Sequence, residues 1–374
     1  MQFIDLKAQF ETLRPGIERR IATVLDHGGY IMGQEVAALE HELATYCGVA
    51  EAVSCANGTD AIVLALRALG IGAGDAVFTT PFTFFATAEA IVLAGATPVF
   101  VDIDQRTFNI DPAALDRQIH RTRAAGSLKL RAVMTVDLFG LPADYAAIEP
   151  LCATHGLALI EDAAQGFGGA IGNRRCGSFG RIATTSFFPA KPLGCYGDGG
   201  AILTSDAALS AQLRSLRVHG KGADKYDNVR IGTNSRLDTL QAAILLEKLK
   251  AFPGEMDLRQ RVAERYSEAL PAALTAPLVP EGYLSSWAQY SMLAPTMGER
   301  DRLIAGLKAA GIPTMIYYAK PLHLQSALSH LGYEPGDFPV SEDVSSRIFS
   351  LPMGPYLAAS DQARVITALH EATA

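Results

Sequence analysis

One lysine, Lys191, lies in the segment TTSFFPAKPLGCYGDGGAIL, residues 184–203, between Pro189-Ala190 and Pro192. Phe187 and Phe188 precede it, and Gly194, Gly197, Gly199 and Gly200 follow. An ammonium group is a poor nucleophile until it loses its proton. Burial among aromatic groups disfavours the charged form and frees the amine, which can then condense with an aldehyde. A second candidate stands in LALIEDAAQGFGG, where an apolar run of strand length ends in Glu161-Asp162. A carboxylate at the end of a buried strand is costly unless it is paired. The protonated ring nitrogen of a cofactor is one such partner; a helix cap or a loop is the other reading of Asp162. A third candidate is CANGTDAIVLAL, which sets Asn57-Gly58-Thr59 before a helical run. Free N–H groups and the helix dipole favour an anion there, and Thr59 adds a hydroxyl. The same three residues are also ordinary helix-capping residues.

Pyridoxal 5'-phosphate (PLP) needs all three features at once: a lysine for its aldehyde, an acid for its pyridine nitrogen and a cradle for its phosphate. The combination is more specific than any member. Rival signatures are missing. GIGAG at residues 70–74 has the wrong spacing for a dinucleotide loop, Lys221 is followed by Gly222 rather than Ser or Thr, and neither HExxH nor GxSxG occurs. Cys176 and Cys195 read as small packing residues, and His219, in a glycine-rich loop, is a weak signal.

Stepping from residues to elements, EAVSCANGTDAIVLALRALG reads as strand, turn and helix, and DAVFTTPFTFFATAEAIVLAGATPVFVDID as strand, loop, helix and strand. LRAVMTVDLFG and GLALIEDAAQ are further strands. This alternation predicts an α/β chain with a large, mostly parallel sheet covered by helices on both faces, its ligand groups at the carboxyl ends of strands. Beyond NSRLDTLQAAILLEKLKAF the pattern changes to a smaller α+β unit. The expected division is 1–250 for the large part and 251–374 for the small one, with a helix break at Phe252-Pro253-Gly254. The N-terminal helix, residues 5–27, has no place in the sheet and is left for packing on the small unit. The 374 residues carry a net charge of −7 and five cysteines without paired spacing. That balance argues against nucleic acid or an anionic membrane as partner, and against a disulfide framework or zinc site. No signal peptide or membrane-spanning run is read, so a cytoplasmic location is expected.

These stretches, with FIDLKAQF, GGYIMGQEVAALEHELATYCGV, NSRLDTLQAAIL and SLPMGPYL, make the chain resemble the DegT/StrS-type nucleotide-sugar aminotransferases. Those are PLP enzymes of the aspartate aminotransferase fold (fold type I). The resemblance runs nearly end to end. It implies that Lys191 bonds the cofactor and shuttles protons and that Asp162 holds the ring nitrogen. Gln165 then contacts the ring hydroxyl, and Gly58, Thr59 and Ser186 hold the phosphate. Phe84 stacks on the ring, with Phe85 as the neighbouring alternative. Asn234 reaches the phosphate from the second subunit of a homodimer. Glutamate is the expected amino donor, becoming 2-oxoglutarate, and a UDP-linked keto sugar the acceptor.

The residues around Lys191 and Asn234 look most like those of enzymes that aminate C3 of UDP-2-acetamido-2-deoxy-3-oxo-D-glucuronate for bacterial surface polysaccharide (O-antigen). Arg236, supplied by the neighbouring subunit, is the expected partner of that sugar's carboxylate; a helix cap or an interface salt bridge is the other reading. Tyr317, Tyr318 and His323, in MIYYAKPLHLQ, are expected beside the sugar, although Tyr318-Ala319-Lys320 departs from the commoner Tyr-Pro step. Two other readings are an aminotransferase for a 4-keto or 3-keto deoxy sugar and a PLP-binding regulatory protein without turnover. The family's dehydratases carry histidine at the lysine position, and Lys191 disfavours them.

Overall fold

The computed structural model describes residues 1–224 and 226–373. Strands β1 (Glu51–Cys55), β2 (Asp75–Thr79), β3 (Thr97–Phe100), β4 (Lys129–Val136) and β5 (Ala158–Asp162) are followed by a short hairpin, β6 (Ala170–Ile171) and β7 (Arg174–Arg175). Then come β8 (Ile182–Ser186) and β9 (Gly200–Thr204). Seven of these form one sheet in the order β1-β9-β8-β5-β4-β2-β3. β9 runs antiparallel to both its neighbours, and every other pairing is parallel.

Strand alternation explains why both faces are covered. Val53, Val77, Met134, Ile160, Ile182 and Ile202 point to one face and pack with α3 (Gly58–Ala68) and α7 (Ala207–Leu216). Their neighbours in sequence point the other way. Ala52, Ala183, Ala201 and Leu203 meet α2 (Gln34–Cys47) and α8 (Thr239–Ala269). Phe78, Val133 and Leu159 pack in one cluster with residues of α5 (Pro112–Ala125) and α6 (Tyr145–His155). The short α4 (Ala86–Leu93) joins β2 to β3.

Two expectations are corrected. The helix break at Phe252-Pro253-Gly254 does not occur: α8 runs unbroken from Thr239 to Ala269. A proline inside a helix removes one hydrogen bond and crowds the preceding turn. Here Phe252, Met256, Val262 and Tyr266 are all buried along the same helix, and that burial outweighs the local loss. The expected division at residue 250 therefore falls inside one helix. The N-terminal helix, α1 (Leu6–His27), does not pack on the small unit alone but lies along α8. Arg20 pairs with Glu247 at 2.9 Å and Gln9 Nε2 donates to Glu255 at 2.9 Å, so its contacts span residue 250.

The C-terminal part pairs β11 (Tyr290–Leu293) with β12 (Ile348–Leu351), while β10 (Tyr283–Leu284) extends the β6–β7 hairpin. Helices α9 (Met297–Ala309) and α11 (Ala359–Thr373) pack together over a core that includes Tyr266, Tyr290 and Phe349. A shorter helix, α10 (Pro339–Arg347), precedes β12. Among the described residues, no helix is long and apolar enough to cross a membrane.

Candidate active site

A cavity of about 710 Å³ opens at the carboxyl ends of β2, β5 and β8, within the size range of a small-molecule site. Asp162 is the last residue of β5 and Ser186 the last of β8. The loop after β2 brings Thr83 and Phe84, and the turn after β1 brings Asn57, Gly58 and Thr59. Lys191 lies on the turn after β8, where its own N–H donates to the Phe188 carbonyl at 2.8 Å. Gly194 allows that turn to fold tightly, because a Cβ there would sit 2.5 Å from the Pro189 carbonyl oxygen.

The electrostatics follow from burial. Burial pushes the Lys191 amine down from the ordinary lysine range, and the nearby Asp162 charge only partly opposes it. The Asp162 carboxyl is pushed up by burial and drawn back by the Ala164 N–H, the Lys191 charge and the Thr87 hydroxyl. Two of these contacts are direct. Thr87 Oγ1 donates to Oδ2 at 3.1 Å and Ala164 N–H to Oδ1 at 3.1 Å. Lys191 and Asp162 therefore line one cavity, each with its charged form disfavoured by burial.

At the start of α3, Asn57 Oδ1 accepts the Asp60 N–H at 2.8 Å and the Asn57 carbonyl accepts the Ala61 N–H at 3.1 Å. Asn57 is thus an N-cap. The cap reading and the anion-site reading are compatible, because the N–H groups of Gly58 and Thr59 precede the first intrahelical bond and both residues line the cavity. A Cβ on Gly58 would lie 2.7 Å from Ser186 Cβ, so only glycine brings the helix start this close to β8.

Gln165 is held on both sides: Phe139 N–H donates to its Oε1 at 2.8 Å, and its Nε2 donates to Tyr318 Oη at 3.2 Å. Between the two aromatic candidates, Phe84 lines the cavity and is 54% exposed, whereas Phe85 packs into a separate apolar cluster. Tyr317 and Tyr318 both line the cavity.

Three expected residues lie elsewhere. His323 is 2% exposed, pairs through Nε2 with Glu342 Oε1 at 3.2 Å and packs edge-on against Phe338. It does not line the cavity of its own chain, and its buried ring is engaged with Glu342 and Phe338 in the C-terminal part. Asn234 and Arg236 also lie off the wall of their own chain's cavity. Asn234 is exposed and bridges to Val218, and Arg236 is half-buried.

Sequence reasoning missed Thr87 and Lys248. Thr87 stands one helical turn beyond Phe84, and that spacing was a usable signal. Lys248 had none: on a helix of mixed polarity it reads as a solvated lysine. In the fold it is 1% exposed, donates from Nζ to the Gly194 carbonyl at 2.6 Å and lies 4.2 Å from the centre of the Tyr196 ring.

Comparison with known proteins gives one consistent answer. The DegT/DnrJ/EryC1/StrS aminotransferase family matches residues 12–370. The chain is 45% identical over 358 residues to the UDP-2-acetamido-2-deoxy-3-oxo-D-glucuronate aminotransferase of Pseudomonas aeruginosa, covering 96% of both chains. A solved DegT DnrJ EryC1 StrS aminotransferase from Brucella abortus superposes with a TM-score of 0.96 at 51% identity, covering 99% of each chain. DesV from S. venezuelae, solved in complex with a ketimine intermediate, superposes at 0.94 with 38% identity, covering 99% of this chain and 97% of that one. With a mostly parallel sheet, a partly buried lysine on the turn at its carboxyl edge and this match over nearly the whole length, the chain belongs to the DegT/DnrJ/EryC1/StrS family of PLP-dependent sugar aminotransferases.

Proposed function

We propose that this aminotransferase moves an amino group from glutamate to C3 of UDP-2-acetamido-2-deoxy-3-oxo-D-glucuronate, at sites shared across a homodimer, in bacterial surface polysaccharide synthesis. The observation that carries the reading is that Lys191 and Asp162 line one strand-end cavity, where burial lowers the amine and raises the acid, in a chain 45% identical to a protein named for that substrate.

The residues present fit PLP. When bound, it supplies a reactive aldehyde and a ring that accepts electrons. Lys191, on the cavity wall, would be the amine that holds this group and the base that moves a proton at the reacting carbon. Its depressed pKa leaves a larger share of free amine than an exposed lysine has. Asp162, whose carboxyl burial pushes up despite the Thr87 and Ala164 donors, would hold a protonated ring nitrogen and gain a cationic partner from it. Thr87 and the Ala164 N–H hold Asp162 in place. The N–H groups of Gly58 and Thr59 and the hydroxyls of Thr59 and Ser186 receive the phosphate. Phe84 covers the ring face, and Gln165 meets the ring hydroxyl.

The homodimer reading draws on the surface. Tyr30, Ile31, Met32 and Ile231 are exposed, and Ile31 bridges to Asp238 beside Asn234 and Arg236. Exposed apolar side chains of this kind suit burial in an interface, and such an interface would bring Asn234 and Arg236 to the neighbouring subunit's cavity. A guanidinium there suits a carboxylate through paired hydrogen bonds.

The test is acceptor choice. The glutamate-loaded enzyme is offered 3-oxo UDP-sugars with and without the C6 carboxylate, together with 4-keto deoxy sugars. The expected result is a preference of about 10–100-fold for the carboxylate sugar, lost in Arg236→Ala. Faster turnover of a 4-keto deoxy sugar would reject the uronate reading and leave the aminotransferase assignment intact.

A further inference from the structure

Behind the cavity, on the opposite face of β5 from Asp162, lies a buried acidic pair. Both oxygens of Glu161 accept backbone N–H groups, Oε1 from Gly177 at 2.6 Å and Oε2 from Phe179 at 2.8 Å. Asp137 follows β4, and its carboxylate, that of Glu161 and the Cys176 sulfur lie within 4.8 Å of one another. Asp137 Oδ1 accepts from the Ala143 N–H at 3.0 Å and from Tyr145 Oη at 2.7 Å. Asp137 Oδ2 is buried and receives no donor. Asp137 and Glu161 are both 0% exposed. Two carboxylates this close in a dry interior do not both ionise. Of their four oxygens, only Asp137 Oδ2 lacks a donor, which makes it the natural seat of one retained proton.

We infer that Asp137 is protonated on Oδ2 and donates that proton to Glu161, and that this shared proton fixes the loop positioning Gln165. The loop Leu138–Gly140 begins at Asp137, and its Phe139 N–H holds Gln165 Oε1. The Gly140 carbonyl accepts the Ser286 N–H at 2.9 Å, and Ser286 Oγ donates to the Gln165 carbonyl at 2.5 Å. Asp137 N–H also donates to the Asp162 carbonyl at 3.1 Å. The pair therefore stands directly beneath two residues of the cavity. Asp137 touches no reacting atom and acts as a positioning residue.

The titratable groups around the pair are Tyr145 on α6, Cys176 and Arg174 at the β6–β7 hairpin, and Cys47 at the end of α2 with Arg175 near it. Burial pushes the Tyr145 hydroxyl and the Cys176 and Cys47 thiols up, so all three stay neutral. A neutral thiol and a fully engaged Glu161 favour a proton over a bound cation. Burial pushes both carboxyls up, Glu161 the further because the Asp137 charge adds to it, while Asp137 is drawn back by Glu161, Tyr145 and the Ala143 N–H. That balance alone would set the proton on Glu161, but both Glu161 oxygens already accept backbone N–H groups and only Asp137 Oδ2 is open to carry it. A raised carboxyl pKa contributes stability that is lost as pH rises through the folded value.

Asp137→Asn reproduces the protonated acid: its amide donates to Glu161 and its oxygen still accepts from Ala143 and Tyr145. Glu161→Gln instead turns an amide against a backbone N–H. The thermal midpoint of cofactor-free protein and the PLP dissociation constant are measured from about pH 6 to about pH 9. Near pH 6, Asp137→Asn is expected to stay within about 3 °C of wild type, while Asp137→Ala and Glu161→Gln fall by about 5 °C or more. PLP binding is expected to weaken about tenfold in those two and to hold in Asp137→Asn. As pH rises, wild type loses midpoint relative to Asp137→Asn. An Asn variant as damaged as the Ala variant, or wild-type and Asn curves falling in parallel, would overturn the shared proton.

Discussion

Lys191 and Asp162 are each placed where their charge is unwelcome. Burial raises the acid and lowers the amine, and neither is relieved fully by the other. One consequence is kinetic: the rate at which cofactor-free protein captures PLP should rise with pH and reach half its maximum below the ordinary lysine range, measured by stopped-flow absorbance. A midpoint in the usual lysine range would mean that burial has not shifted the amine. A second concerns the acid: Asp162→Asn should lower turnover by about 10²–10⁴-fold, with the fold unchanged by circular dichroism. Much of this pair was legible in the sequence, because a proline-flanked lysine and a strand-end acid are both unusual. His323 was not, because a histidine beside two cavity tyrosines gives no sign that the chain will turn it inward toward Glu342 and Phe338. The distinction between Phe84 and Phe85 also required the fold, since adjacent residues at a helix start diverge only once the backbone path is set.

At the scale of elements, α8 does more than support the sheet. It crosses beneath the Lys191 turn, where Gln241 Oε1 accepts the Tyr196 N–H at 2.9 Å and Lys248 reaches the Gly194 carbonyl. Lys248→Ala would leave that carbonyl without its donor and open a cavity, at a cost of about 2–5 kcal/mol in denaturant unfolding. Burial pushes the Lys248 amine down to about 8. A depressed lysine pKa contributes stability that is present above the unfolded value and lost as pH falls through the folded one. The advantage of wild type over Lys248→Met should therefore grow as pH rises from about 8 toward the ordinary lysine range and level off at its smallest below about 8; a constant gap across that window would show that the amine does not titrate there. The strands and the sheet were readable because β1–β5 are short, mostly apolar runs that end up buried on both faces. The continuity of α8 was not, because Pro253 looks like punctuation until both flanking turns are seen to be buried.

For the whole molecule, the proposed shared site has an arithmetic consequence. Lys191→Ala and Arg236→Ala chains are each expected to be weak or inactive with the uronate. In a mixed dimer, one of the two sites regains both native residues. Random mixing makes half of the dimers mixed, so about a quarter of wild-type activity should return. No recovery after subunit exchange would argue that each chain builds its site alone. The sequence reached the parallel architecture and the Lys191 site. That Asn234 and Arg236 serve the neighbouring subunit's site was expected from the family resemblance alone, because neither residue carries a local mark of which cavity it serves.

The most direct test of the account is the absorbance spectrum of purified protein with PLP, before and after glutamate, for wild type and Lys191→Ala. The account predicts a lysine-bound cofactor band in wild type that glutamate converts to the amine form, and no such band in Lys191→Ala. An unchanged band in the alanine variant, or a wild-type band that glutamate leaves untouched, would contradict it.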